Sequence, residues 1–339
     1  MSKQEVTLKD IQDAQERIKK HETLTPLLKS VNISSKIHSN LYLKLENLQR
    51  CKAFKFRGAL SKISTLPKGS TVVCASAGNH SQGCALASKI CGLKCIVYMP
   101  KTAPKSKVNA TKKYGGEVRQ YGECFDEAKE KCELYLKSEP SLIFVPPFDD
   151  NLVIAGQGII GLEIFSQLKN VQTVVLAVGG GGLCSGVSIA LKSLNPNIRI
   201  IAVNSAIYPA TYIKYQKIKD RKIDDLINNE ENNKRKSKPL ADGIAVNIPG
   251  NLTFPYIEKY VDEFVVVSEH EIACAISVLA ERVKVVTEGA GASTLAAVLF
   301  NKFKYEENEN IVCVLSGGNI TLQRLAECFA ESNDFLESF

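Results

Sequence analysis

Short apolar runs rich in valine and isoleucine alternate with helical patterns along almost the whole chain of 339 residues. Many of these runs lack polar alternation, which is typical of strands covered on both faces. The predicted strands are Leu41–Leu45, Thr71–Ala75, Lys94–Met99, Glu117–Gln120, Leu142–Val145, Thr173–Val178, Ile198–Val203, Glu263–Val267 and Ile311–Leu315. Helical patterns lie near 5–20, 54–64, 79–90, 104–114, 123–137, 151–168, 183–193, 270–282, 289–301 and 320–331. This order predicts an α/β protein built from parallel sheets flanked by helices.

The strands and helices from 70 to 147 form a series long enough to make a sheet of their own. We therefore predict a small α/β domain at 70–147 and a large domain built from 1–69 and 148–339. A ligand cleft is expected between the two sheets. Residues 217–238 contain few large apolar side chains in their second half, which predicts an exposed and flexible loop.

The composition is that of an ordinary globular protein, with 45% hydrophobic and 23% charged residues. The net charge of +7 comes largely from dispersed lysines, so no nucleic-acid surface is predicted. No apolar run reaches the roughly 18 residues of a membrane span, and residues 1–20 lack a signal core. Many of the 11 cysteines lie in apolar segments, which favours reduced thiols and a cytoplasmic protein. Cys91 and Cys95 have no second pair, so no zinc site is predicted.

One glycine pattern is misleading. Gly156, Gly158 and Gly161 match the dinucleotide-binding pattern G-x-G-x-x-G, which is informative only directly after a strand. Here Pro146 and Pro147 separate the glycines from the preceding strand. We interpret them as close helix packing, and we do not predict a nicotinamide cofactor.

The run Gly179–Gly182 directly follows a predicted strand and precedes a helix. Backbone N–H groups and the helix dipole make such a turn a phosphate site. The run lacks the Gly-Lys-Ser/Thr ending of a nucleoside triphosphate loop. The alternative is a tight turn that needs glycine for its geometry, but four glycines exceed that need.

Two further turns follow predicted strands. Ser76–Gly83 (SAGNHSQG) opens a helix and is expected to bind a substrate anion, although His80 alone is equally a structural histidine. Ser316–Asn319 (SGGN) follows the last strand. Turns at the carboxyl ends of parallel strands converge on one cleft.

Lys55 lies between Phe54 and Phe56. An amine among apolar groups has a lowered pKa and attacks carbonyls, whereas the plain alternative is a solvent-facing helix residue. Together with a phosphate site, such a lysine suggests pyridoxal phosphate.

These motifs are specific enough to compare with a known family. The chain resembles the fold type II pyridoxal-phosphate enzymes of the threonine dehydratase and serine racemase group, and the resemblance covers nearly the whole chain. The stretches that carry it are Glu46–Ala59, Ser76–Gly83, Ala155–Ile164, Gly179–Leu183, Ala241–Gly243, Val285–Ala292 and Leu315–Ile320. The resemblance implies two parallel-sheet domains, as in the tryptophan synthase β fold, with the cofactor in the cleft between them.

The resemblance also implies a role for each site residue. Lys55 is the Schiff-base lysine and the catalytic residue. The other residues expected to bind the cofactor are Phe54 beside the ring, Asn79 at the ring hydroxyl, Gly179, Gly180, Gly181 and Gly182 at the phosphate, Ser316 at the ring nitrogen, and Glu288 near the ring. The residues expected to bind the substrate carboxylate are Ser76, Ala77, Gly78, Asn79 and His80.

The implied activity is β-elimination of L-threonine to 2-oxobutanoate and ammonia, and of L-serine to pyruvate and ammonia. Serine racemase with dehydratase side activity is the alternative, and a β-replacing enzyme of the cysteine synthase kind is a third choice. Racemases of the family carry serine where this chain has Ala77. They also build a divalent-metal site whose matching positions, Asn204, Tyr208 and Ala210, carry no carboxylate, so no metal is predicted.

The same resemblance implies a small-molecule amino-acid substrate and leads us to expect a homodimer or homotetramer. The apolar runs and the dispersed charge predict no membrane and no nucleic-acid partner. A nucleotide effector stays open, because Cys51-Lys52-Ala53 departs from the usual Thr-Gly-Ser of the family.

Overall fold

The computed structural model describes residues 5–225, 227 and 239–339. Its helices are α1 Leu8–Ile18, α2 Val31–Ile37, α3 Lys55–Ile63, α4 Asn79–Cys91, α5 Lys105–Lys113, α6 Phe125–Ser138, α7 Asn151–Gln167, α8 Gly182–Leu194, α9 Ala210–Ile218, α10 Phe254–Tyr260, α11 Glu269–Val278, α12 Gly289–Leu299, α13 Leu322–Glu331 and α14 Asn333–Ser338. Its strands are β1 Leu27–Lys29, β2 Asn40–Lys44, β3 Thr71–Ala75, β4 Lys94–Met99, β5 Glu117–Gln120, β6 Leu142–Phe144, β7 Thr173–Ala177, β8 Arg199–Ser205, β9 Glu263–Val267 and β10 Asn310–Val314.

The strands form two sheets. The larger sheet has the order β1-β2-β10-β7-β8-β9, and the smaller one has the order β5-β4-β3-β6. Every neighbouring pair is parallel except β1 and β2. The predicted α/β class with two parallel sheets is therefore confirmed. Strand β1 was not predicted, because three half-buried or exposed residues leave no hydrophobic pattern to read.

The smaller sheet is built from residues 71–144, and all other strands belong to the larger sheet. The domain boundaries at 69/70 and 147/148 stay predictions. Of the predicted loop at 217–238, α9 occupies the first two residues, while residue 226 and residues 228–238 lie outside the described residues. Within the described ranges, no helix combines the length and the apolar character that a membrane crossing requires.

The glycines of the G-x-G-x-x-G pattern lie inside α7, as predicted from the preceding prolines. A methyl group on Gly158 would lie 2.8 Å from the Gly186 carbonyl oxygen, and one on Gly161 would lie 2.8 Å from the Ala190 Cβ. The glycines therefore allow α7 and α8 to pack closely, and they form no nucleotide turn.

A buried ionic network anchors the start of α3. The Arg57 guanidinium pairs with Glu46 at 2.9 Å and with Glu163 at 2.8 Å, and both carboxylates are almost fully buried. Lys44 pairs with the same Glu163 at 2.5 Å. Burial alone would lower the pKa of Arg57, but the surrounding carboxylates raise it. The network holds α3 against α7 and so positions the lysine at the first residue of α3.

Candidate active site

Lys55 is the first residue of α3 and lies among aromatic rings. Its Nζ lies 5.0 Å from the centroid of the Phe54 ring and 6.0 Å from that of Phe148. The amine donates a hydrogen bond to the Pro147 carbonyl oxygen at 2.7 Å. Loss of water lowers the pKa of Lys55 to about 8, although Cys84 and Glu288 oppose the shift. An amine with this pKa is partly neutral near pH 8 and can act as a nucleophile or base.

The turn at Ser316 holds the lysine segment in place. The Phe54 N–H donates to the Ser316 carbonyl oxygen at 3.0 Å, and Ala53 forms an isolated bridge with Gly317. Ser316 itself is buried at the end of β10. The structure therefore brings the residues directly before Lys55 against the Ser316 turn, although Lys55 and Ser316 are 261 positions apart in the chain.

The glycine run forms the turn between β7 and α8. Its carbonyl groups are occupied, since Thr211 donates to the Gly179 oxygen at 2.8 Å and Thr253 donates to the Gly180 oxygen at 2.6 Å. The backbone N–H groups of Gly180, Gly181 and Gly182 are buried and have no acceptor within the described parts of the chain. Buried N–H groups normally have partners, so a cluster of free ones at a helix N-terminus suits an anion.

Polar side chains connect the two sheets across the cleft. The Asn79 amide donates to the Glu288 carboxylate at 2.6 Å and accepts from the Asn319 amide at 2.7 Å. Farther out, Lys107 pairs with Asp242 at 2.6 Å. Burial, together with the nearby Asp242 charge, raises the pKa of Glu288 to about 7. The structure thus brings the predicted residues Asn79 and Glu288 into direct contact.

The segment from Ser76 to His80 comprises the turn after β3 and the first two residues of α4. The Ser76 hydroxyl accepts from the Gly78 N–H at 3.2 Å. The N–H groups of Asn79 and His80 have no acceptor among the residues that the structure describes, so the loop can receive an anion through its backbone. The His80 side chain is buried, and its Nε2 donates to the Val145 carbonyl oxygen at 2.8 Å. This ring nitrogen is therefore not free to hold a carboxylate.

Phe148 and Asn319 were not singled out from the sequence as site residues. The Phe148 ring lies against both Lys55 and the glycine run, where a methyl group on Gly180 would come within 2.2 Å of it. Asn319 belongs to a predicted glycine turn, so its position was a usable signal. The sequence did not mark Phe148 as a site residue, because a single phenylalanine after two prolines is also common in loops whose apolar side chain packs on the core.

The family model for pyridoxal-phosphate dependent enzymes matches residues 18–317. The chain belongs to this family. Pyridoxal phosphate is therefore its cofactor, and the residues present fit that group. Free N–H groups at the glycine turn suit its phosphate, and the Lys55 amine suits its aldehyde carbon.

The chain is similar to curated bacterial proteins over almost its whole length. It is 44% identical to an L-threonine ammonia-lyase of Thermotoga maritima, over 94% of this chain and 77% of the relative. It is 43% identical to a catabolic L-threonine dehydratase of Staphylococcus aureus, over 95% of this chain and 91% of the relative.

Solved structures also resemble the chain. Serine racemase from Dictyostelium discoideum is 37% identical with a TM-score of 0.82, covering 94% of this chain and 99% of that one. Threonine deaminase isoform 2 from Solanum lycopersicum is 33% identical with a TM-score of 0.84, covering 96% of this chain and 87% of that one. These likenesses confirm the predicted fold type.

The lowered pKa of Lys55 predicts how the rate at which the cofactor-free enzyme attaches pyridoxal phosphate depends on pH. Because only the neutral amine attacks, the attachment rate should rise about tenfold per pH unit and level off above about pH 8. Stopped-flow absorbance measures this rate, and N-acetyl-lysine in parallel corrects for the titration of the cofactor itself. Glu288→Gln should move the midpoint downward, because Glu288 raises the lysine pKa. A rate still rising at the ordinary value of 10.5 would contradict the assignment.

The glycine turn predicts a second effect. Gly181 has a φ of +95°, and a methyl group there would lie 2.8 Å from Thr253 Oγ1 and from Ile257 Cδ1. Gly181→Ala should therefore lower the free energy of unfolding by about 1–3 kcal/mol more than a glycine-to-alanine change at a position with a positive φ but no steric overlap. The variant should also lose pyridoxal phosphate on dialysis.

The matched control is Gly69→Ala, since Gly69 has a φ of +83° but no atom within 4 Å of the added methyl. Urea unfolding of both variants measures the difference. Equal losses of stability, with the cofactor retained in both variants, would show that the turn tolerates a side chain.

Proposed function

We propose that this chain is an L-threonine ammonia-lyase that converts L-threonine to 2-oxobutanoate and ammonia, and L-serine to pyruvate and ammonia. The observation that carries the proposal is the Lys55 amine, which lies in an apolar cleft with a pKa of about 8. The names of relatives at 42–44% identity support the same activity.

The Lys55 side chain moves the proton. Pyridoxal phosphate, when bound, supplies an electron-withdrawing ring that acidifies the Cα–H bond of an amino acid. The neutral Lys55 amine takes the Cα proton as general base. The β-hydroxyl group then leaves with one proton as water, which balances the proton that Lys55 took from Cα. Hydrolysis of the remaining C–N bond consumes one water and releases ammonia. The net reaction removes only ammonia from L-threonine.

Ser316 suits elimination. A serine hydroxyl, unlike an aspartate, carries no charge that would keep the ring nitrogen protonated. With Ser316 as the partner of its nitrogen, the bound cofactor ring would withdraw electrons only moderately, which would favour a reaction in which the departing hydroxyl group removes the charge. The buried position of Ser316 beside the Lys55 segment supports this role.

The loop before α4 holds the substrate carboxylate. The free N–H groups of Asn79 and His80 lie at the positive end of a 13-residue helix. Ser76 shapes the loop through its bond to Gly78. The His80 side chain contributes structure, because its Nε2 is bonded to Val145.

The direct test incubates the purified holoenzyme with L-threonine and measures 2-oxobutanoate and ammonia. Equal amounts of both are expected, with L-serine giving pyruvate. A holoenzyme that retains its cofactor absorbance and forms no 2-oxo acid from either amino acid would refute the proposal. L-Threonine and L-serine differ by one methyl group, which changes the binding free energy by only about 1–3 kcal/mol. Steady-state kinetics with both amino acids must therefore decide which is the better substrate.

Serine racemase is the second candidate, favoured by the likeness to the Dictyostelium structure. Racemisation needs a second proton carrier, and Ala77 has no ionisable atom. Chiral analysis of the products from L-serine should therefore reveal pyruvate and no D-serine. Accumulation of D-serine faster than pyruvate would reverse the order of the two candidates.

Two further predictions belong to this proposal. A cytoplasmic location is supported by 11 free cysteines. Assembly as a homodimer or homotetramer follows from the family resemblance alone, and the question of a nucleotide effector stays open because Cys51-Lys52-Ala53 departs from the family pattern.

A further inference from the structure

Three buried side chains behind the substrate loop form a cluster with the chemistry of a metal site. Cys74 lies on β3, while His80 and Cys84 lie one turn apart on α4. One ligand atom of each residue lies within 4.8 Å of the others. All three side chains are at most 3% exposed. None of the cofactor or substrate contacts described above uses either thiol.

The distances are close to those of a tetrahedral zinc site. Zn–S bonds of about 2.3 Å and Zn–N bonds of about 2.0 Å place neighbouring ligand atoms about 3.5–3.8 Å apart. The Cys84 Sγ lies 3.8 Å from the His80 Nδ1. No two of the three ligand atoms are more than 4.8 Å apart, so the side chains need to move by at most about 1 Å to reach zinc-binding distances.

The His80 ring is already oriented as in metal sites. The Val145 carbonyl oxygen can only accept, so Nε2 carries the proton and Nδ1 keeps its lone pair. A metal-bound histidine typically donates its other N–H to such a carbonyl.

The charge balance favours a divalent ion. Two thiolates and a neutral imidazole cancel the charge of a divalent cation, which removes most of the penalty for burying it. Binding releases one proton from each thiol, because the thiolate is the form that coordinates a metal.

We propose that Cys74, His80 and Cys84 form a binding site for a thiophilic divalent cation, with Zn²⁺ as the preferred ion. Sulfur and imidazole ligands select zinc over magnesium or calcium. The thiol of Cys95 on β4 contacts that of Cys74 and is a candidate for a fourth ligand.

The site would link metal binding to the substrate loop. His80 directly follows Asn79, which contacts Glu288 and Asn319 across the cleft. An ion bound to His80 would fix the first turn of α4 to strand β3. The binding itself does not depend on the proposed ammonia-lyase reaction, so the two proposals can fail separately.

The test is equilibrium dialysis of the holoenzyme against Zn²⁺, followed by X-ray absorption spectroscopy of the loaded protein. We expect one ion per chain, with at least two sulfur ligands at about 2.3 Å and one nitrogen at about 2.0 Å. Cys74→Ala and Cys84→Ala should each lower the affinity at least tenfold. Cys313→Ala is the matched control, since Cys313 is equally buried but lies on β10 of the larger sheet.

A wild-type spectrum with no sulfur ligand would overturn the proposal whether or not the variants fold. Equal zinc affinity of Cys84→Ala and Cys313→Ala would overturn it as well. Loss of zinc binding only in the two cluster variants, with the cofactor absorbance unchanged, would support it.

Discussion

Replacing Lys55 by alanine is expected to lower kcat for L-threonine by about 10³-fold or more. The variant loses both the amine that attaches the cofactor and the base that takes the Cα proton. Loss of the visible absorbance of the lysine-bound cofactor should accompany the loss of activity. Spectra and 2-oxobutanoate formation, measured on the same preparation, check both expectations.

Lys52→Ala is the matched control for this experiment. Lys52 lies three residues earlier and is exposed, and its hydrogen bonds to the residues that the structure describes all use its backbone. Its activity and spectrum should therefore be those of the wild type. If Lys55→Ala kept activity within tenfold of Lys52→Ala, the catalytic assignment of Lys55 would be wrong.

Replacing Arg57 by methionine is expected to lower the free energy of unfolding by about 3–5 kcal/mol. The variant removes the main cation of the buried network and leaves Glu46, which is 0% exposed, without an ion pair. Lys44 can still pair with Glu163, so the carboxylates that lose their ion pair are Glu46 and the nearly buried Glu22. Urea unfolding measures the loss.

Two further variants separate charge burial from lost packing. Arg324→Met removes a surface partner of Glu327 and should change stability by no more than about 1 kcal/mol. Adding Glu46→Gln to Arg57→Met should recover part of the lost stability, because the buried charge is then removed. Failure of the double variant to recover any stability would attribute the loss to packing alone.

The Arg57 network is part of how the site is built. Arg57 lies two residues after Lys55 on the same helix, so the ion pairs fix the helix that carries the amine. From the sequence, Arg57 was only a neighbour of the lysine. Its partners Glu46 and Glu163 are 11 and 106 positions away, and local patterns do not report such pairs.

The sequence by itself determined the α/β class, nine of the strands and the family. Each signal is local, since strands, helix starts and glycine turns depend on neighbouring residues. Lys55 and Gly179–Gly182 could therefore be singled out before their surroundings were known. The short strand β1 was missed, because three residues carry too little periodicity.

The tertiary structure alone decided which side chains meet. It placed Asn79 against Glu288, across 209 positions of the chain, and brought Phe148 between the lysine and the glycine turn. It turned the His80 ring toward Val145 and gathered Cys74 and Cys84 around it. The sequence could not show this cluster, because Cys74 on a strand meets the helix only once α4 packs on its sheet. Contacts between distant segments arise from packing, and packing is decided by the whole fold.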